Sequence, residues 1–433
     1  METLTLQGVR CFGDRQELPI RPVTLLVGEN STGKSTVLAM VRAAWDLAYR
    51  GAEPDFNEEP FDLGGYDAIA HYHGGQGKRA HEFRIETGFT RGTSVSVKGK
   101  RFSIPMTTHV TGVFQEKNGQ PFLSEWQKAR GSLALRIISD GTLSKIEMRH
   151  DEEVVIDIDS PSLPPSWTRE SLAFLDLART STGGRVPLTL ENYDLLLSML
   201  PTSKGMNEHR PIASAPIRTK PVRTYNPRRE VQEPEGSHVP MELATRHVTS
   251  PEEFEDLAKQ LGAYGKDANL FSKLQVKRLG KKAGDPFQLL IAVDRYPFNL
   301  RDVGYGVSQV LPILVDTLTA PKGQTFLLQQ PEVHLHPRAQ AALGSLLVQQ
   351  AALRKQTFVV ETHSDYLVDR VRMDIRDGRS ALKPQDVVIL YFERVAGKAT
   401  VHPITIDPQG NLVNVPPGYR SFFLEEERRL LGI

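Results

Sequence analysis

Gly28-Glu29-Asn30-Ser31-Thr32-Gly33-Lys34-Ser35-Thr36 satisfies the spacing G-x-x-x-x-G-K-[ST] through Gly28, Gly33, Lys34 and Ser35. Just before it, Val23-Thr24-Leu25-Leu26-Val27 is an apolar, β-branched run suited to a buried strand. Just after it, the residues from Val37 to Trp45 read as a helix. Strand, loop and helix in that order are the setting a phosphate-binding loop needs. Glycines let the chain turn tightly, so that backbone N–H groups face an anion, and the helix N-terminus adds partial positive charge. Lys34 is expected to reach the outer phosphates and the Ser35 hydroxyl to ligate Mg²⁺. As a loop lysine, Lys34 is also expected to be exposed and to contribute little to stability. The alternative is a glycine turn beside a chance lysine, and the flanking pattern argues against it. The stretch predicts an α/β fold with a nucleoside triphosphate site.

With 433 residues, the chain has room for two or three packed units. Its formal net charge of +1 excludes a global polycation, so any DNA contact has to come from a local patch. Cys11 is the one cysteine, which excludes an intrachain disulfide and a Cys-based metal site. The start of the chain, Met1 to Leu6, has neither a basic nor an apolar leader pattern. No apolar run reaches the ~18 residues of a membrane span. These features lead to the expectation of a soluble, cytoplasmic protein with no membrane partner.

Outward from the loop, residues 81 to 158 are strand-rich. His81 to Glu86 alternates, and the runs Leu133–Ile138 and Leu143–Met148 flank an Asp140-Gly141 turn, a hairpin signal. Beyond Ser160 the pattern changes: Leu172 to Ala178 and Tyr193 to Leu200 carry helical spacing, residues 201 to 240 read as an extended loop region, and a helix resumes near Pro251. From Phe287 onward strands and helices alternate as in a parallel sheet. The division expected is an N-terminal lobe over 1–160, a helical and loop insertion over 161–285 that projects from the rest, and a C-terminal lobe over 286–433.

The C-terminal part supplies three further pieces. Asp302-Val303-Gly304-Tyr305-Gly306-Val307-Ser308-Gln309 precedes an apolar helix. The strand Thr325–Leu328 ends in Gln329-Gln330-Pro331-Glu332-Val333-His334-Leu335-His336-Pro337, and Thr357–Val360 ends in Glu361-Thr362-His363-Ser364. Together with the phosphate loop, these stretches resemble the ABC-type ATPases of the SMC, RecF and OLD-nuclease group, which includes ATPases of bacterial anti-phage systems. The resemblance covers roughly residues 1 to 75 and 285 to 433 and leaves the middle unmatched.

It implies an ABC/SMC-type P-loop ATPase head using ATP and Mg²⁺, held by Gly28, Glu29, Asn30, Ser31, Thr32, Gly33, Lys34, Ser35 and Thr36. Gly304, Gly306 and Ser308 look like the signature segment, which in relatives contacts the γ-phosphate on the opposite subunit. A structural turn before a core helix is the competing reading of that segment. His363 sits where relatives carry a switch histidine that senses the γ-phosphate. His334 and His336 would share a face on an extended segment, but with no third ligand nearby a structural Leu-His-Pro turn is the preferred reading. His71 and His73 are equally unsupported as a metal pair.

The sequence departs from the family pattern in the signature segment, which lacks the common Ser-Gly-Gly form, and at two neighbouring positions after Leu328. Relatives end the strand at Leu328 with two acidic residues, one for Mg²⁺ and one that polarises water. Here Gln329 and Gln330 stand there. An amide cannot accept the proton that a carboxylate takes, and such general-base help is typically worth ~10²–10⁴-fold. Gln329 can still meet Mg²⁺ through its carbonyl oxygen. Glu332 and Glu361, at strand ends, are candidates to compensate. Tight nucleotide binding with slow hydrolysis is the expectation.

Three uses compete. The first is an ATPase, dimeric or of higher order, that gates a separately encoded effector such as a nuclease or toxin in anti-phage defence. The 70 residues after His363 are too few for the nuclease domain appended in OLD proteins, and the tail at 407–411 and 419–423 reads as a small capping element. The second is a RecF-like, DNA-binding repair ATPase, motivated by Arg218, Lys220, Arg223, Arg228 and Arg229 around Tyr225, and by Lys277, Arg278, Lys281 and Lys282. A solvated basic surface is the plainer reading of those charges. The third is a scaffold held together by unhydrolysed ATP.

Overall fold

The computed structural model describes residues 1–432 apart from 76–77, 98–99, 152, 162–189, 202–209, 228–230, 283 and 396–397. The chain opens with β1 (Thr3–Gln7), β2 (Gln16–Pro19) and β3 (Val23–Gly28). It forms two compact units, each assembled from separated segments. The first comprises Met1–Ile20, Glu29–Arg210 and Phe392–Val401; the second comprises Arg21–Gly28, Pro211–Tyr391 and His402–Ile433.

In the first unit, β1 and β2 join β4 (Glu82–Val97), β5 (Lys100–Lys117), β6 (Gln120–Arg130), β7 (Leu133–Ser139), β8 (Leu143–His150) and β9 (Glu153–Pro161). Among the described residues these form one antiparallel sheet in the order β2-β1-β4-β5-β6-β7-β8-β9. Period-two patterning sets which face is buried: Ser144, Ile146 and Met148 of β8 point inward between exposed or half-buried neighbours. The expected hairpin forms at Asp140, whose Oδ1 accepts from Leu143 N at 2.8 Å and Thr142 N at 2.7 Å. Those bonds favour the charged carboxylate and hold its pKa down to about 2. The helix Lys34–Trp45 continues into one wide π turn over Asp46–Arg50, and Trp126 Nε1 donates to Leu47 O at 3.1 Å.

The second unit adds β10 (Ile212–Ser214), a small antiparallel sheet of β11 (Lys273–Arg278), β12 (Phe287–Val293) and β13 (Tyr296–Asn299), then β14 (Thr325–Gln329), β15 (Thr357–Glu361), β16 (Val387–Val395), β17 (Lys398–Ile406) and β18 (Leu412–Val413). Its main sheet runs β10-β14-β15-β3-β16-β17-β18, and β10, β14, β15 and β3 are mutually parallel. The near-continuous apolar runs of β3, β14 and β15 follow from that arrangement, because parallel strands have both faces covered. Phe326 and Phe358 stack at 5.2 Å between ring centres on β14 and β15.

The block read as a projecting insertion over 161–285 is divided in the structure. Residues 211–285 belong to the second unit, where β10 lies in the main sheet in register Ile212↔Phe326 to Ser214↔Leu328. Val239, Leu243, Phe254, Leu257 and Leu261, from the helices Val239–Thr249 and Pro251–Asp267, are buried in the same core. Three residues of edge strand are too short to leave a periodic signal, so the sheet membership of β10 was not legible. The helix Leu190–Met199 is present, whereas the one expected at Leu172–Ala178 lies outside the described residues. In the tail, the helix Ser421–Leu431 forms, and Tyr391 Oη donates to Gly418 O at 3.0 Å.

Candidate nucleotide site

β3 is buried from Val23 to Val27, and the chain leaves it through positive φ angles of 132° at Gly28, 60° at Ser31 and 105° at Gly33. Gly33 is dictated twice: its φ is left-handed, and a Cβ there would lie 2.5 Å from Cys11 Sγ. It caps the helix Lys34–Trp45 with no side-chain cap hydrogen bond, and the helix start directs its partial positive charge toward the loop. The loop is braced from behind. Thr32 Oγ1 donates to Glu29 O at 2.7 Å, Arg394 Nη2 donates to Ser31 O at 2.8 Å, and Cys11 Sγ donates to Thr32 O at 3.6 Å.

Lys34 is buried, with Nζ donating to Glu29 O at 2.5 Å, which corrects the expectation of an exposed loop lysine. Its ammonium needs a carbonyl partner there because a charge out of water has to be compensated. Glu29, Asn30, Ser31 and Ser35 are exposed, whereas Thr32 and Thr36 are buried. Backbone donors around a lysine fit a polyphosphate, and the exposed Ser35 hydroxyl fits a hard cation.

In the second unit, the carboxyl ends of β14, β15 and β3 lie side by side. Gln329 pairs in register with Glu361, and Glu361 with Leu26; Thr362 N donates to Leu26 O at 3.1 Å. The phosphate loop is the direct continuation of β3. Two further bonds lace the turn after β14 to the turn after β15: Gln330 N donates to Glu361 O at 2.8 Å, and His363 N donates to Glu332 Oε1 at 2.7 Å. Gln330 itself turns the chain, with φ at 42°. Glu361 is buried and His363 exposed.

Glu332 is 6% exposed, and its Oε2 has no hydrogen-bond partner among the described residues. Burial pushes its carboxyl above the ordinary range, opposed by the backbone bond from His363. Its position explains why the tight turn after β14 carries an acid two residues beyond the glutamines: it fixes the backbone of His363.

Arg218 requires a correction. Sequence placed it in an exposed basic block, but it is 2% exposed. Its Nη2 donates to Gln329 O at 3.4 Å and Gln330 O at 3.5 Å, and its Nε to Ser214 Oγ at 3.3 Å. Burial lowers its pKa to about 10, opposed by the charge of Glu332. It lies four residues past β10, and nothing in the local pattern distinguishes it from its neighbours, so only the pairing of β10 with β14 reveals it. Of the remaining block, Lys220 is exposed, Arg223 is paired with Asp302 at 2.6 Å, and Arg228 and Arg229 lie outside the described residues.

The segment read as a signature opens the helix Tyr305–Thr319, with Gly304 as its N-cap. A Cβ at Gly304 would meet nothing within 4 Å, which leaves this position open to an approaching ligand. At Gly306 a Cβ would lie 2.7 Å from His334 O, and the buried Ser308 Oγ donates to Tyr305 O at 2.8 Å, so both are committed to packing. His334 sets its ring edge-on to Tyr305 at 4.9 Å, and His336 caps the helix Pro337–Arg354 by accepting from Arg338 N at 3.3 Å. The Leu-His-Pro segment is a turn and a helix cap.

His71 Nδ1 lies 2.5 Å from Arg10 O, and its ring meets that of His73 at 4.8 Å. His238, Glu242 and Asp316, a group sequence reading missed, lie close together, but His238 Nδ1 accepts from Glu233 N at 3.2 Å. The proton is therefore on Nε2, which donates to Asp316 at 2.9 Å rather than offering a lone pair to a metal.

Residues 215–369 match the family model described as "AAA domain, putative AbiEii toxin, Type IV TA system". Residues 382–430 match a second family model, described as "Protein of unknown function (DUF3696)", which spans the tail. Among solved structures, the chain is similar to an SMC head bound to the C-winged helix domain of ScpA, at 10% identity and TM-score 0.44, covering 94% of this chain and 98% of that one. It is also similar to an SMC head domain from Thermotoga maritima, at 13% identity and TM-score 0.40, covering 93% and 98%. A Pyrococcus furiosus Smc head with an extended coiled coil, bound to the C-terminal domain of ScpA, gives 10% identity and TM-score 0.41, covering 99% of each chain. No curated protein matches. Among the described residues, no helix is long and apolar enough to cross a membrane.

Proposed function

We propose that the chain binds ATP and Mg²⁺, dimerises around the nucleotide and hydrolyses it slowly, so that the ATP-bound state gates a separately encoded effector. The observation that carries this reading is the phosphate loop, whose left-handed turns lead into a helix start, a geometry suited to an anion. In this reading the backbone from Glu29 to Gly33 and the Lys34 ammonium hold the phosphates. Ser35 and Gln329 hold Mg²⁺, which would neutralise charge on the outer phosphates. Gly304, open at its helix start, faces the γ-phosphate of a second subunit, and His363 senses it. Glu332 or Glu361 supplies the carboxylate that Gln330 lacks. Toxin–antitoxin wording in the matched family's description supports a defence setting over repair. The burial of Arg218 weakens the DNA-clamp alternative, because it removes one cation from the proposed basic face.

Sedimentation velocity with a non-hydrolysable ATP analogue tests the proposal. A nucleotide-dependent dimer is expected, and an unchanged monomer with nucleotide demonstrably bound would overturn it. A phosphate-release assay distinguishes slow hydrolysis from the pure scaffold.

A further inference from the structure

The helix Pro251–Asp267 and β11 enclose a groove of about 1050 Å³ in the second unit. Glycines set its shape. A Cβ at Gly262 would lie 2.7 Å from Ser272 O, and one at Gly265 2.4 Å from Phe271 O, so helix and chain touch closely just before β11 begins. Along β11 itself the two walls stand far enough apart to leave the groove. One wall is a helical stripe in which Glu255, Ala258, Lys259, Gly262 and Lys266 recur at three- and four-residue spacing. The other is β11, an outer strand of its three-stranded sheet, and among the described residues no strand pairs with its far edge. Along β11, Leu274 and Val276 point inward while Lys273 and Lys277 are exposed.

We propose that this groove docks an extended acidic segment of a partner protein, which adds a strand to β11. Three features converge on that occupant. An unpaired strand edge offers backbone groups to an extended peptide. The inward and outward alternation of β11 continues into any added strand, so every second side chain of the guest lies on the apolar side with Ala258 and Leu274, and the others beside the lysines. Finally, the lining carries Lys259, Lys266, Lys273 and Lys277 against the single acid Glu255. Lys259 is partly offset by Asp256 at 3.2 Å; both are well exposed, so that pair is screened and exchangeable. Single-stranded nucleic acid suits the groove less well, because it needs exposed rings to stack bases, and the groove's phenyl ring, Phe254, is buried.

The test uses the full chain and a fluorescein-labelled peptide alternating glutamate with valine, read by anisotropy at low and high salt. Saturable binding that weakens with salt is expected. The double variant Lys273→Glu/Lys277→Glu, at two exposed positions, should lose at least tenfold in affinity with its melting temperature unchanged. Hydrogen exchange should show the amides of residues 273–277 slowing when the peptide binds. Absent binding, equal binding of a lysine–valine peptide, binding unaffected by the double variant, or β11 amides that do not slow would each overturn the proposal. So would an oligothymidylate that binds more tightly and is lost in the same variant, since the groove would then serve nucleic acid.

Discussion

The turns that follow β3 and β14 start from strands that both flank β15, yet they are built on opposite principles. After β3 the chemistry is carried by the backbone: left-handed residues, a helix start and one lysine folded onto Glu29 O. After β14 it is carried by side chains. The carbonyls of Gln329 and Gln330 rest on the buried Arg218, and Glu332 secures His363. A backbone device tolerates no change of glycine, because the fold itself depends on it. A side-chain device can exchange carboxylate for amide and keep its shape, and the slow hydrolysis proposed above rests on that difference.

The largest effect expected is at the first turn. Lys34→Ala should weaken ATP binding on the order of 10²-fold, the upper value of a charge-assisted contact to phosphate, while costing only about 1 kcal/mol of stability. Calorimetric titration beside thermal melting reads both, and normal ATP affinity would contradict the assignment. At the second turn, Gln330→Glu should raise the single-turnover rate by about 10² if a missing base limits hydrolysis. A parent enzyme that is already fast, with this variant inert, would break the contrast between the turns.

Arg218→Ala tests whether the second turn is held from behind. It removes a buried guanidinium and leaves Glu332 without its compensating charge, so a stability loss of about 3 kcal/mol is expected. Denaturant titration checks this, and a loss within error would return Arg218 to the surface role that sequence gave it.

The smallest effect carries a sign. Because the folded-state pKa of Glu332 is raised, the folded state holds its proton over a pH range where the unfolded chain has lost it. Stability from this group is therefore greatest below about pH 4.5 and declines as pH rises through the folded pKa. Glu332→Gln can keep the acceptor for His363 N and carries no buried charge. It should melt slightly higher than the parent at pH 8, with the gain vanishing toward pH 4. If the same variant also loses single-turnover activity, Glu332 acts on the reaction; if it stays active, its work is to hold His363.

Local patterns carried much of this into the sequence. The strand–loop–helix around Gly28 to Thr36, the Asp140-Gly141 hairpin and the parallel C-terminal strands were readable, because each depends on contacts within a few residues and on a regular apolar period. The glutamines at 329 and 330 were equally plain, since a motif shows its own substitutions. Tertiary structure alone decided three things. It placed Ile212–Ser214 in the main sheet, a pairing across more than a hundred residues that three residues cannot announce. It turned Arg218 from a surface cation into a buried brace, because burial depends on what packs over a side chain and not on its neighbours in sequence. And it gave Glu332 a partner in His363, thirty-one residues away, where the chain order shows only two strand ends. Short-range order is written in the sequence; which charge meets which carbonyl is settled only when strands distant in the chain lie side by side.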